Sequence, residues 1–251
     1  MSSSNSSSSI RIEKRQVGEV DVFIFHLEGT PNEARDHFKN QLNAKFIKDF
    51  SDALDEALRQ SKKGRNCAIV TTSTGKHYSD GLDLSYVLSI ESVDEKIAFL
   101  KSVETLLYKL LTFPMITVAA VNGHAFAGGM LLALAHDYRI SNEEKGFWCM
   151  SEIDIPSPLT PGYSALINSK LNAQTVAHMM ITGARLNAKE MQANQVVWQT
   201  AKGEAAVLEE AVKLAAKYGV KSKSVMREIK EDVWWNAAKQ LKYGSAARAK
   251  L

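Results

Sequence analysis

The sequence predicts an α/β fold, because two separate stretches combine a buried strand, a glycine-containing bend and a helix. In one stretch the apolar, β-branched run Ile116–Val121 indicates a strand, Asn122-Gly123 ends it, and Met130–Ala135 indicates a buried helix. In the other, Cys67–Thr72 indicates a second buried strand, and the bend at Ser79–Leu84 leads into a helix. Two such units in one chain predict a single α/β domain.

The pair Gly128-Gly129 stands at the junction between strand and helix. A helix N-terminus carries free N–H groups and a partial positive charge, which stabilise a negatively charged oxygen. A residue without a Cβ lets such an oxygen approach the backbone closely. If the two bends meet, the N–H groups of Leu82 and Gly128 point at one atom and form an oxyanion hole. Tight packing of a helix on a strand explains the two glycines as well.

Two motifs carry a resemblance to a known family. Tyr78–Leu84 reads YSDGLDL and Asn122–Gly129 reads NGHAFAGG. In form, order and spacing they resemble the F-S-x-G-x-D-L and N-G-x-A-x-G-G segments of the enoyl-CoA hydratase/isomerase (crotonase) superfamily. The resemblance runs over residues 10–200. It implies a crotonase-type spiral of repeated ββα units there, and a helical region at 201–251 that assembles a homotrimer or a dimer of trimers.

The resemblance also implies the substrate, which is a fatty acyl-CoA whose thioester oxygen binds the Leu82 and Gly128 amides. CoA is part of that substrate, so no separate cofactor is expected. The remaining substrate-binding positions carried over from the motifs are Ser79, Asp80, Gly81, Gly129 and Leu131. Asp80 departs from the family, which usually has a small neutral residue beside the nucleotide part of CoA. Arg35 or Lys39 could contact the CoA phosphates, although a solvated surface charge explains either residue singly.

Glu152 is the candidate catalytic residue. It follows the apolar run Phe147–Met150, in a segment where the family places a carboxylate that faces the thioester. An acid between Met150 and Ile153 would be partly desolvated, which raises its pKa and suits it to exchanging a proton. A lone Glu after a strand is also commonly a solvated or capping acid. Asp154 would be a second acid on the same face only if the strand continued.

The expected reaction depends on Leu131. Hydratases of the family have a second glutamate three residues after the donor glycine, and leucine at that position cannot hold or activate water. The chain therefore resembles the Δ3,Δ2-enoyl-CoA isomerases of unsaturated fatty acid β-oxidation, in which one carboxylate, here Glu152, moves a proton from C2 to C4. The alternatives are an enoyl-CoA hydratase or acyl-CoA hydrolase on the same fold, or a non-catalytic acyl-CoA-binding protein.

Strand and helix patterns continue along the first half of the chain. Ile10–Gln16 and Val20–Leu27 predict a β-hairpin. Apolar residues at helical spacing predict a helix from about Leu42 to Gln60, and a second one around Leu100–Leu111. Phe113-Pro114 ends that second helix.

The second half of the chain reads as a loop followed by helices. The prolines between Pro156 and Gly162 predict a loop that contains no regular helix. Ala173–Gly183 and Asn187–Asn194 predict helices, the latter with a capping box. Two further amphipathic helices are predicted at Glu204–Tyr218 and at about 222–241.

Composition and the two termini indicate which other functions and which cellular location to expect. Met1–Ser9 is a serine-rich stretch expected to be a disordered tail. A net charge of +3 with scattered Lys and Arg gives no nucleic-acid footprint, and no apolar run is long enough to span a membrane. The six histidines show no metal-binding spacing, so no metal is expected. Ala249-Lys250-Leu251 resembles the Ser-Lys-Leu address that a peroxisomal import receptor reads, which predicts a location in the peroxisome matrix.

Overall fold

The computed structural model describes residues 8–29, 31–32, 37–61, 65–155, 158–221 and 224–244. Most of the Met1–Ser9 tail, Arg35, Pro156 and the Ala249–Leu251 tripeptide lie outside the described residues. The strands are β1 Ile10–Val17, β2 Val20–Leu27, β3 Pro31–Asn32, β4 His37–Phe38, β5 Asn66–Thr72, β6 His77–Ser79, β7 Ile116–Val121, β8 His124–Phe126, β9 Tyr138–Asn142, β10 Trp148–Cys149 and β11 Gln199–Ala201. The helices are α1 Ala44–Gln60, α2 Leu84–Ser89, α3 Val93–Leu111, α4 Gly128–Leu134, α5 Pro161–Lys170, α6 Ala173–Thr182, α7 Ala188–Ala193, α8 Glu204–Tyr218, α9 Met226–Val233 and α10 Trp235–Tyr243.

Most strands belong to two sheets, and the chain passes repeatedly from the larger sheet to the smaller one. A six-stranded sheet has the order β1-β2-β5-β7-β9-β11 and is parallel except for the β1-β2 hairpin. A three-stranded parallel sheet has the order β10-β8-β6. The pairs β5/β6, β7/β8 and β9/β10 each give one strand to each sheet before the chain turns into helix. The expected α/β fold of repeated ββα units is confirmed.

Both faces of the large sheet are buried. Phe23 and Phe25 of β2 lie in the core cluster that contains Phe50 of α1, whereas Val22 lies in a second cluster with Val207 of α8. Neighbouring residues of β2 therefore point into different cores. A strand that is apolar on both sides shows no alternation in its sequence, which is why these strands read as continuous apolar runs.

Most predicted elements are confirmed, and the second half of the chain contains the corrections. The loop expected between Pro156 and Gly162 is wrong at its end, because α5 begins at Pro161. Proline is favoured at the first helical position, and the Thr160 side chain caps this helix by accepting from the Tyr163 N–H. The helix expected at 222–241 is two helices that meet at Trp234.

Among the described residues, no helix has both the length and the apolar character needed to cross a membrane.

Candidate active site

The loop after β6 is held in place by Asn40 and Ser79, both of which are buried. The Ser79 hydroxyl donates to the Asn40 carbonyl (2.7 Å) and accepts from the Gly81 N–H (3.2 Å). The Asn40 amide in turn donates to the Tyr78 carbonyl (3.0 Å). Asn40 adopts a positive φ of 48°, which asparagine tolerates better than most residues. Sequence reasoning missed this residue, because nothing in the sequence distinguishes Asn40 from Asn43, which caps α1.

The second loop leads from β8 into α4 through a strained residue. Ala127 has φ 48° and ψ −121°, a conformation that residues other than glycine rarely adopt. Its N–H donates to the Cys149 carbonyl (2.9 Å), which ties the loop to β10. Gly129 lies so close to the Ser79 carbonyl oxygen that a Cβ would collide with it. The second glycine of the motif is therefore required by close packing of the two loops.

The two loops bring the backbone amides of Leu82 and Gly128 side by side. A Cβ on Gly81 would lie 2.6 Å from the Gly128 nitrogen, and a Cβ on Gly128 would lie 3.3 Å from the Leu82 nitrogen. In the described part of the chain, no backbone carbonyl outside the regular elements accepts a hydrogen bond from either N–H. Gly128 opens α4, where the first N–H groups have no partner within the helix. The loops thus place two unpaired donors next to each other.

Glu152 lies in a turn directly after β10. Its Oε2 atom is buried and has no hydrogen-bond partner. Burial raises the pKa of the Glu152 carboxyl group, and a hydrogen bond from its own backbone N–H opposes that rise. The carboxyl group therefore holds a proton at a higher pH than an exposed glutamate does.

Two cavities meet at Glu152. The smaller, of about 120 Å³, is lined by Asp80, Leu82, Leu84, Ala127, Ser151, Glu152 and Ile155. The larger, of about 330 Å³, is lined by Met150, Glu152, Ile153, Ile155, Pro158, Leu159 and Met180. The first cavity includes residues from both amide loops, and the second is apolar except for Glu152. Glu152 and Ile155 line both cavities.

The other predicted site residues lie at different distances from these cavities. Ser79 and Gly129 hold the loops together behind the cavity wall. Leu131 is 1% exposed and lies in the core, in the lining of neither cavity. Asp154 is exposed, because the chain turns at Ser151 instead of continuing as a strand. The structure therefore brings Leu82, Gly128 and Glu152 together and leaves Asp154 outside.

Asp80 lines the smaller cavity, where it faces two basic side chains. Its Oδ1 atom lies 2.5 Å from Nδ1 of His77, and its Oδ2 atom lies 4.0 Å from Nζ of Lys39. The His77 ring lies 5.1 Å from the ring of His124. Burial, followed by the charge of His77, lowers the pKa of His124. Asp80 therefore lies in the wall of the smaller cavity beside two basic side chains.

Tyr163, in the first turn of α5, is a second residue that sequence reasoning missed. Its hydroxyl group is buried without a hydrogen-bond partner. Burial raises the pKa of the phenol, and the charges of Glu104 and Glu152 raise it further. The neutral phenol is thus a polar group near the Glu152 carboxylate. The sequence predicted a loop across Pro161. The capped helix that carries Tyr163 was therefore not predicted, and Tyr163 was not considered.

Comparison with known proteins finds matches along most of the chain. A family model described as Enoyl-CoA hydratase/isomerase matches residues 34–251. Enoyl-CoA delta isomerase 3 of Arabidopsis thaliana is 33% identical over 180 residues, which cover 70% of this chain and 72% of that protein. Enoyl-CoA delta isomerase 1, peroxisomal, of the same plant is 29% identical over 203 residues, 76% of this chain and 83% of that protein. A probable enoyl-CoA hydratase of Bacillus subtilis is 25% identical over 199 residues, 78% of this chain and 75% of that protein.

Solved structures share the fold. An enoyl-CoA isomerase of Mycobacterium tuberculosis superimposes with a TM-score of 0.77 at 19% identity, covering 93% of this chain and 95% of that one. An enoyl-CoA hydratase from Bacillus anthracis gives a TM-score of 0.72 at 20% identity, covering 94% and 90%. At such identities the likeness concerns the fold alone.

Proposed function

This chain belongs to the enoyl-CoA hydratase/isomerase family, and from that premise we propose that it is a Δ3,Δ2-enoyl-CoA isomerase. The relatives with the names delta isomerase 3 and delta isomerase 1 support this reaction. Hydratases are also among the relatives. The choice between the two reactions therefore rests on the residues around Glu152.

The N–H groups of Leu82 and Gly128 form the oxyanion hole in this proposal. The thioester oxygen accepts a hydrogen bond from each, and both bonds strengthen as negative charge develops on that oxygen. The tight contact between Gly81 and the Gly128 nitrogen supports this role, because it fixes the donors before substrate binds. One donor of such a hole typically contributes about 10²- to 10³-fold in rate.

Glu152 is the base and the acid. Its carboxylate takes a proton from C2 of a 3-enoyl-CoA, and the C2–H electron pair moves into a dienolate whose charge lies on the thioester oxygen. The same carboxyl group then gives the proton to C4, so the double bond moves from C3–C4 to C2–C3 and nothing is added or lost. A raised pKa suits a group that must both take and return a proton.

The observation that carries the proposal is the position of Glu152 between the two cavities. The smaller cavity holds the thioester beside the Leu82 loop, and the larger apolar cavity takes the fatty acyl chain. A carboxyl group at the shared wall faces the first carbons of that chain. The buried Tyr163 hydroxyl lies close enough for the Glu152 charge to raise its pKa, and in this proposal it is a neutral polar neighbour of the carboxyl group.

Hydration of a 2-enoyl-CoA is the competing reaction, and one observation favours it. Asp80 lines the same small cavity as Glu152, so two acids are present there. Asp80 is engaged with His77 and Lys39, which argues against its activating a water molecule. Leu131, the position where hydratases carry their second glutamate, is a core residue.

A pair of assays on the purified full-length protein separates the two reactions. With 3-enoyl-CoA substrates of several chain lengths we expect conversion to 2-enoyl-CoA, followed by its ultraviolet absorbance. With 2-enoyl-CoA we expect no 3-hydroxyacyl-CoA by chromatography. Fast hydration together with slow isomerisation would reject the proposal.

Location and assembly are further parts of the proposal. We expect a peroxisomal enzyme of unsaturated fatty acid β-oxidation, because two relatives are named peroxisomal. We expect a homotrimer or a dimer of trimers. Fluorescence microscopy of a fusion that leaves Leu251 at its end tests the first point, and sedimentation equilibrium tests the second.

A further inference from the structure

A third cavity, lined largely by polar and charged residues, lies away from the Glu152 site. It has a volume of about 520 Å³ and lies beside the start of β9, the end of α5 and the segment after α7. Its lining shares no residue with the two cavities at Glu152. Leu82, Gly128 and Glu152 follow the carboxyl ends of parallel strands, whereas this cavity adjoins the amino end of β9. The proposed isomerase reaction gives it no role.

Two cations in its wall lack an acidic partner. The Arg139 guanidinium donates to the carbonyls of Val196 (2.6 Å) and His136 (2.9 Å). The Lys170 ammonium donates to the His136 carbonyl (3.3 Å) and lies 3.7 Å above the Trp234 ring. Among the described residues, neither cation has a carboxylate within 4 Å. Both are bound only by neutral groups.

The acid in the cavity wall is already neutralised. Asp137 Oδ2 lies 2.7 Å from the buried ammonium of Lys230. It also accepts from the Thr117 N–H (2.8 Å) and hydroxyl (3.1 Å). His136 adds no charge, because burial lowers its pKa to about 3. Three cations thus face one carboxylate across the described elements around the cavity.

This excess of positive charge is unfavourable where water reaches the charges poorly, and here Arg139 is buried and Lys170 is partly buried. Burial lowers the pKa of Lys170 well below its ordinary value, and the neighbouring Arg139 lowers it further. Burial likewise lowers the pKa of Arg139 to about 10, and the charge of Asp137 opposes the lowering in both groups. An anion between the two side chains would reverse the repulsion and favour the protonated lysine.

The wall also carries unused donors and aromatic surface. Arg139 uses two of the five N–H bonds that a guanidinium offers. Trp198 is 56% exposed and lines the cavity with Trp234. Gln195 in the same wall has φ 61°, a left-handed conformation that tends to occur at functional positions.

We propose that this cavity is a binding site for a small organic anion. A carboxylate or phosphate group lies between Arg139 and Lys170 and takes their free N–H donors. The apolar part of the ligand packs against Trp198 and Trp234. Binding draws a proton onto Lys170, so affinity is higher at lower pH. The charged groups around Lys170 that influence its protonation are Arg139, Asp137 and Lys230.

Isothermal titration calorimetry on the full-length protein tests the site with two probes, benzoate and inorganic phosphate. We expect at least one probe to bind, with proton uptake revealed by comparing buffers of different ionisation enthalpy. Lys170→Met removes the charge and should weaken that binding by at least about 10-fold, the usual effect of losing a hydrogen bond to a charged group. Lys170→Arg should retain it.

The matched control is Lys217→Met, which removes an exposed lysine that also lies over an aromatic ring, that of Tyr218. It should bind like the wild type. Trp198→Ala changes an exposed side chain and should weaken benzoate more than phosphate. Glu152→Gln alters only the proposed active site and should bind both probes as the wild type does. The anion-site proposal can therefore fail while the isomerase proposal stands, and the reverse is also possible. The site is rejected if the wild type binds neither probe, or if Lys170→Met binds as tightly as the wild type.

Discussion

The Cα of Gly81 packs directly against the amide nitrogen of Gly128, so closely that a Cβ on Gly81 would lie 2.6 Å from that nitrogen. Gly81 also has φ +85°, a conformation that L residues rarely adopt. The contact joins the loop after β6 to the start of α4. The position of one proposed donor therefore depends on the absence of a side chain next to the other.

Gly81→Ala should lower kcat for isomerisation by at least about 10-fold, because the new methyl group displaces the Gly128 amide. The matched control is Gly18→Ala, which has φ +58° but no atom within 4 Å of the added Cβ. Both variants introduce backbone strain, and only the first moves the donor. Steady-state kinetics beside thermal unfolding separates the two effects. Equal kcat values for the two variants would show that the contact does not position the amide.

Glu152→Gln should reduce isomerase turnover by about 10²- to 10⁴-fold, the usual contribution of a general acid–base group. The amide keeps the shape of the side chain, so acyl-CoA binding measured by calorimetry should change little. Glu19→Gln, at an exposed position on the β1-β2 turn, is the control. Turnover that matches the wild type would exclude Glu152 as the base.

The raised pKa of Glu152 predicts how stability depends on pH. The folded state favours the protonated acid, so the wild type loses stability as pH rises from the ordinary value of 4.5 through the raised value. Glu152→Gln has no charge to bury and should melt at a higher temperature than the wild type at about pH 8. The difference should disappear below the ordinary pKa. An equal or lower melting temperature at the higher pH would show that the carboxylate is not destabilised by burial.

Asp80→Asn tests whether the second acid of the small cavity takes part in the chemistry. The change removes the charge opposite His77 and Lys39 and keeps the size of the side chain. We expect kcat for isomerisation to stay close to that of the wild type, while KM for acyl-CoA changes. A loss of kcat as large as that of Glu152→Gln would assign Asp80 a role in the proton transfer.

Lys230→Met should destabilise the fold by about 1 to 3 kcal/mol, because the partly buried Asp137 carboxylate loses its hydrogen bond from the buried Lys230 ammonium. The double variant Lys230→Met, Asp137→Asn should recover part of this loss. Lys213→Met breaks a surface pair with Glu210 and should change the free energy of unfolding little. Urea unfolding measures all three variants, and equal effects at positions 230 and 213 would show that burial of Lys230 does not strengthen its pair with Asp137.

The strongest sequence signals were local, and they located most of the fold. Val20–Leu27 and Ile116–Val121 are apolar enough to be read as strands, and both bounds match the structure. The short strands β6 and β8 were missed because three residues give no periodicity, and their strand geometry depends on each other and on β10. The α5 helix was missed because proline both starts helices and interrupts them.

The sequence by itself determined the candidate residues for the proposed chemistry: two glycine-containing bends, Glu152 after an apolar run, and leucine at position 131. Only the tertiary structure decided that the Leu82 and Gly128 amides are adjacent and that Asp80 shares a cavity with Glu152. It also decided that Arg139 and Lys170 line one cavity, while the acid in its wall, Asp137, is paired with Lys230. The physical reason is that composition and periodicity report whether a residue is buried, whereas its partner is chosen by the packing of segments far apart in the chain.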